Sequence, residues 1–141
     1  MLGPFLETSE RSLGPIPSAV WHDPYILGFI SMLITLEARS AIATSLSSYA
    51  LGLIQSEALA ELSGEPADIY GEEIFTLSIN GDLEFQIGCH QALTFHSLLR
   101  QSFSWDENSQ EHYYHHSSPR SHNELRIIWK SLFEERVEAV T

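Results

Sequence analysis

A chain of 141 residues with a formal charge of −12 and no run of Lys or Arg has little with which to grip a phosphate backbone, so nucleic-acid binding is not expected. Its hydrophobic share of 43% is that of an ordinary soluble protein, and its length suits one domain with a real core. A single cysteine, Cys89, excludes an internal disulfide.

The first 22 residues hold Gly3-Pro4, Gly14-Pro15 and Pro17, which resist helix, so residues 1–22 read as an extended arm. Phe5, Leu6, Ile16 and Trp21 are too apolar for a free tail, and the arm should lie on the body or on a partner subunit. The start lacks a basic stretch followed by an apolar run, so a cytoplasmic location is expected. Residues 23–141 read as a single α+β domain.

Asp23-Pro24 is a helix start: Asp caps free N–H groups, and Pro suits the first turn. Apolar residues then recur at helical spacing to Leu62, first Ile26, Phe29, Ile30 and Leu33, later Ile42, Leu46, Leu53 and Ile54. One unbroken helix of that length would run about 60 Å. A compact chain of this size is only roughly 35–40 Å across. Either the helix breaks between Arg39 and Ser48, where hydroxylated side chains compete for backbone hydrogen bonds, or it projects toward a second subunit. Ser31, Ala38, Ser45 and Gly52 fall seven apart, with Gly28 and Thr35 extending that face, so a close helix–helix contact is expected within the chain or across a dimer axis. Residues 24–36 are uncharged but too few to span a membrane, which needs about 20 apolar residues. A helix this apolar needs cover on several sides, which favours a homodimer.

Residues 63–72 read as a polar linker. Phe75, Leu77 and Ile79 then alternate with Thr76 and Ser78, and Leu83, Phe85 and Ile87 alternate with Glu84 and Gln86. With Asn80-Gly81 between them, the pattern predicts an antiparallel β-hairpin, its three-residue loop setting apolar opposite apolar. Cys89–Phe103 reads as helix, with Cys89, Ala92, Leu93, His96, Leu99 and Phe103 on one face. A long polar loop over 104–120 follows. Ser121-His122-Asn123-Glu124 fits a capping box, opening a last helix that runs to about Val140. Its core face holds Leu125, Ile128, Trp129, Leu132, Phe133 and Val137. The fold class expected is therefore α+β, mainly helical: a long, possibly broken helix, one hairpin and two C-terminal helices.

Chemistry-bearing residues concentrate in the loop. Glu111, His112, His115 and His116 are candidate ligands for a divalent transition metal, with Asp106, Glu107 and His122 nearby. The spacing is not that of a His-Glu-x-x-His metalloprotease helix. Cys89 with His90 and His96 fits a small hydrophobe and a satisfied core histidine better than a thiol–imidazole pair. Glu72-Glu73 and Glu134-Glu135 are paired acids by sequence only. His22 could meet the histidine-rich loop in space. No Gly-rich phosphate loop, Gly-x-Ser-x-Gly elbow or Cys-x-x-Cys occurs, and no residue is assigned a catalytic role.

These features favour a non-enzymatic oligomeric binding module. A small metal-dependent enzyme using the histidine-rich loop 104–122 is one alternative. An acidic inhibitor of a basic protein is the other, and it requires the carboxylates to be grouped rather than evenly spread.

Overall fold

In the computed structural model, residues 2–42, 45–107 and 122–141 are described, with the backbone alone for 102–107. Helix follows helix: α1 (Leu2–Leu13), a 3-10 turn (Ser18–His22), α2 (Pro24–Ala41), α3 (Ser48–Ser63), α4 (Ala67–Ile79), α5 (Leu83–Glu107) and α6 (His122–Trp129). A π-helical turn (Lys130–Glu134) leads from α6 into α7 (Glu135–Val140). No strand occurs among the described residues, so the fold is all-α rather than α+β.

The stretch from Asp23 breaks where small hydroxylated side chains gather. α2 ends at Ala41, Ile42 turns extended, and Ser47 opens α3 by accepting a hydrogen bond from the Ala50 N–H at 3.1 Å. At its other end α2 is capped by Asp23, whose carboxylate accepts from the Ile26 N–H at 3.1 Å. Tyr25 to Ile30, Leu33 and Ile34 are all buried, and the cover comes from this chain's own helices. On α2 the expected surplus of apolar surface is therefore absent, while the rest of that stretch leaves Ile42, Tyr49 and Leu53 exposed.

α2 and α5 cross backbone to backbone. A Cβ on Gly28 would overlap the Phe85 carbonyl, and one on Gly88 would overlap the Tyr25 carbonyl and lie 2.8 Å from the Phe29 nitrogen. Beside this crossing, the Gln55 side chain of α3 donates to Thr35 Oγ1 at 2.6 Å. The small-residue face of α2 thus makes its close contacts within the chain.

The predicted hairpin is the sharpest correction. Residues 75–79 continue α4 and residues 83–87 open α5. The Asn-Gly turn between them ends one helix and starts the next. Gly81 sits at φ +63, its N–H reaches the Ser78 carbonyl at 3.3 Å, and the Asp82 N–H reaches the Leu77 carbonyl at 3.1 Å. That pair of bonds is a Schellman close. Asp82 then caps α5 by accepting from the Phe85 N–H at 3.0 Å. Alternation still scatters these apolar residues around the helices: Phe85 is buried, whereas Phe75, Ile79, Leu83 and Ile87 face solvent.

Two smaller corrections follow. The arm is helical over Leu2–Leu13, because Pro4 falls in the first turn where its lost N–H is not needed, and Gly14 at φ +81 ends it. The linker shrinks to the turn around Gly64, at φ +79, and Pro66, which precedes α4. On α5 the buried apolar side chains are Phe85, Ala92, Phe95 and Leu99, with Gly88 buried between them, so Phe95 replaces the expected Leu93, which is exposed.

The C-terminal helices close the core. Leu125, Trp129, Phe133 and Val137 are buried at a strict spacing of four, which on an α-helix would drift by about 40° per step. The wider π turn takes up that drift. Trp129 lies at the centre of an aromatic cluster, 5.3 Å from Phe5, 5.6 Å from Phe29, 5.5 Å from Phe95 and 4.8 Å from Phe133 between ring centroids. Its indole N–H donates to Ser9 Oγ at 2.8 Å, and that hydroxyl donates to Glu134 Oε2 at 3.1 Å. Arg136 clamps Asp23 through two 2.9 Å bonds and approaches Glu84 at 3.2 Å, tying the starts of α2 and α5 to α7. Its guanidinium lies 5.3 Å above the Tyr25 ring. The Tyr25 hydroxyl donates to the Leu132 carbonyl in the π turn at 2.8 Å, and burial pushes its pKa up to about 12, against the pull of Arg136.

Gly28→Ala is expected to lower the unfolding free energy by roughly 2–3 kcal/mol, because two backbones would have to separate. Gly52→Ala, with open space at its Cβ, should raise it by about 0.5–1 kcal/mol. Urea denaturation of the two variants tests this, and equal midpoints would contradict the crossing. Ser9→Ala should cost about 1–3 kcal/mol in the same measurement, since it orphans the buried Trp129 N–H and a Glu134 oxygen.

Candidate functional site

One polar cluster among the described residues brings together parts of the chain far apart in sequence. His22 ends the 3-10 turn, held there by the 3.1 Å bond from the Asp23 N–H to the Val20 carbonyl. Glu65 follows the left-handed Gly64 that closes α3, and its N–H donates to Ser63 Oγ at 3.1 Å. Glu73 and Tyr70 lie three residues apart on α4, one face of the helix. His22 Nδ1 meets Glu73 Oε2 at 2.6 Å, and His22 Nε2 meets Glu65 Oε2 at 2.7 Å. The imidazole stacks on the Tyr70 ring, with centroids 5.0 Å apart and planes 5° from parallel.

Ionised carboxylates only accept, so making both bonds at once favours hydrogen on both ring nitrogens, the imidazolium form. Burial alone would lower the His22 pKa, but the hydrogen bonds and charges of Glu65 and Glu73 outweigh it and hold it above the usual value. Held this way, His22 has no free nitrogen to act as a base. The nitrogens also diverge toward separate carboxylates and cannot converge on one ion. Among the described residues no group of three or more His, Cys, Asp or Glu is placed to hold a metal. The arrangement is a clamp joining the 3-10 turn to the α3–α4 connection and to the middle of α4. The Tyr70 hydroxyl is fully buried without a well-formed hydrogen bond, and burial raises its pKa despite the nearby Ser63 side chain.

Beside the clamp, α3 and α4 enclose a groove of about 520 Å³. Gly52, Ser56, Ala67 and Gly71 form a small-residue floor, and Tyr49 and Leu53 stand on its wall, Tyr49 being 77% exposed. Ser56 donates its hydroxyl to the Gly52 carbonyl at 2.8 Å, leaving the floor apolar. Glu57, Asp68 and Glu72 rim the groove. From Arg39 to Arg100 the sequence has no basic residue, while Glu57, Glu61, Glu65, Asp68, Glu72, Glu73, Asp82 and Glu84 lie between. The carboxylates are no denser there than in the rest of the chain, but no Lys or Arg offsets them.

The metal candidates Glu111, His112, His115 and His116 lie outside the described residues, as does the Ser121 of the capping box. His122 starts α6 with its ring 6.2 Å from Phe5. Cys89 is half-buried, and burial pushes its thiol up to about 11, so it is not a thiolate at neutral pH. Burial and Arg100 hold the His96 pKa below its usual value, against Glu37. Sequence reasoning passed over Glu65 and Tyr70 and took Glu73 for a solvated acid. At separations of 43 and 51 residues from His22, no local signal links them.

No family model matches the chain, and neither a curated protein nor a solved structure matches it. No helix among the described residues is long and apolar enough to cross a membrane.

A group whose pKa is raised on folding stabilises below its ordinary value, about 6.5 for His, and loses that contribution as pH rises through the folded value. Wild type should therefore exceed His22→Gln by about 1–2 kcal/mol near pH 6, after allowing for solvent screening. The gap should shrink toward pH 9. Urea midpoints for both proteins across that range test this, and a gap that widens with pH would contradict the clamp.

Proposed function

We propose that this chain is a non-enzymatic, oligomeric helical binding module. Four side chains carry the reading. Phe75, Ile79, Leu83 and Ile87 are exposed by 66, 66, 68 and 40%. They sit at four-residue spacing on either side of the turn at Gly81, so each helix offers a stripe. The core does not use them, and large apolar side chains grouped on a surface mark contact sites. A second copy, presenting the same stripes about a two-fold axis, is the simplest cover. The closed geometry of His22 and the protonated Cys89 thiol support binding over chemistry.

The absence of Lys and Arg between Arg39 and Arg100, which leaves the carboxylates of that stretch without offsetting cations of their own, favours a second reading, that of an acidic partner to a basic protein.

Sedimentation equilibrium at micromolar protein tests the first reading. Wild type should self-associate, and Phe75→Ser with Leu83→Ser should be monomeric at an unchanged urea midpoint. A wild type that stays monomeric would contradict it.

A further inference from the structure

We propose that the groove between α3 and α4 is the docking site for a basic amphipathic helix of a partner protein. This rests on reading the chain as a binding module, and it names the place and the kind of partner. The floor of Gly52, Ser56, Ala67 and Gly71 is apolar and low, which lets a helix come close. Open space surrounds the position a Cβ would take on Gly52, so the fold itself does not need a glycine there for room. Tyr49 and Leu53 rise beside the floor and lie largely in solvent, 77 and 47% exposed, ready to cover apolar side chains of an incoming helix.

Charge selects the occupant. Glu57, Asp68 and Glu72 edge the groove, and no salt bridge pairs them with a cation among the described residues. Neither α3 nor α4 contains a Lys or Arg. A second copy would bring the same carboxylates to this rim and be repelled. A neutral apolar helix would leave three carboxylates without compensation. A helix with leucine-like side chains on one face and Lys or Arg flanking them meets both the floor and the rim, in the helix-in-groove manner. The His22 clamp, reaching Glu73 next to Glu72, holds α4 in position beside α3.

The test is a fluorescence titration of the full chain with three synthetic peptides. One is an amphipathic Leu/Lys helix, one carries Glu in place of each Lys, and one is the Leu/Lys composition scrambled to destroy the apolar face. The Leu/Lys helix should bind at micromolar concentration and weaken as salt rises. Gly52→Leu places a side chain in the groove from a position with open space at its Cβ, and should reduce that affinity at least about tenfold with a urea midpoint no lower than wild type. Glu57→Gln with Asp68→Asn and Glu72→Gln should also weaken binding and flatten its salt dependence.

Absence of binding by the Leu/Lys helix would overturn the proposal. So would equal binding of the scrambled peptide or full binding by Gly52→Leu, either of which would show general charge attraction, and so would equal binding of the Glu peptide, which would show that charge does not select the occupant. Phe75→Ser with Leu83→Ser should keep peptide binding, so failure of self-association and failure of the groove are read separately.

Discussion

Everything in this structure is arranged around the near contact of two backbones. α2 and α5 approach so closely at Gly28 and Gly88 that neither position has room for a methyl group. That closeness lets a helix of Ile, Leu and Phe be sealed by its own chain, since Phe85, Ala92, Phe95 and Leu99 fall directly onto it. It also fixes where the other parts can go. The C-terminal helices lie over the aromatic cluster at this junction, and Arg136 locks the starts of α2 and α5 together through Asp23 and Glu84. α3 reaches α2 from the side through Gln55.

The α3–α4 pair is held differently. Leu59 and Tyr70 join the core, but a polar, partly solvated tie is added, a histidine between two glutamates, and the pair's own charge is entirely negative apart from that borrowed ring. Most of the large apolar side chains that the core leaves exposed sit on this pair and on the start of α5. The molecule therefore separates its labour: a dry, aromatic centre that sets the fold, and an acidic outlying pair of helices with surface to offer.

Legibility in the sequence followed the range of the interaction. Asp23-Pro24 as a start and the face of the last helix each depend on residues within one or two turns, and each was readable; the weak place before Ser48 was readable too, but not that the helix breaks there. The hairpin was misread because alternation over 75–87 imitates a strand. What overrules it is Gly88 against Tyr25, a contact across 63 residues that no local window contains. A Gly at a left-handed position suits a Schellman close as well as a β-turn, so Asn80-Gly81 could not decide between them. The His22 clamp was invisible for the same reason, its three members belonging to a turn, a connection and the middle of a helix. Half of the small-residue stripe was legible as a close approach, but not which helix would fill it.

The π turn at Lys130–Glu134 holds about one residue more than a regular helix would need to cover the same rotation. That surplus sets the phase of everything beyond it. Wound as plain α-helix, the same residues would reach Arg136 turned by roughly 100°, aimed into solvent rather than at Asp23. A single slipped step, kept open where the Tyr25 hydroxyl occupies the Leu132 carbonyl, is thus what lets the end of the chain fasten its beginning.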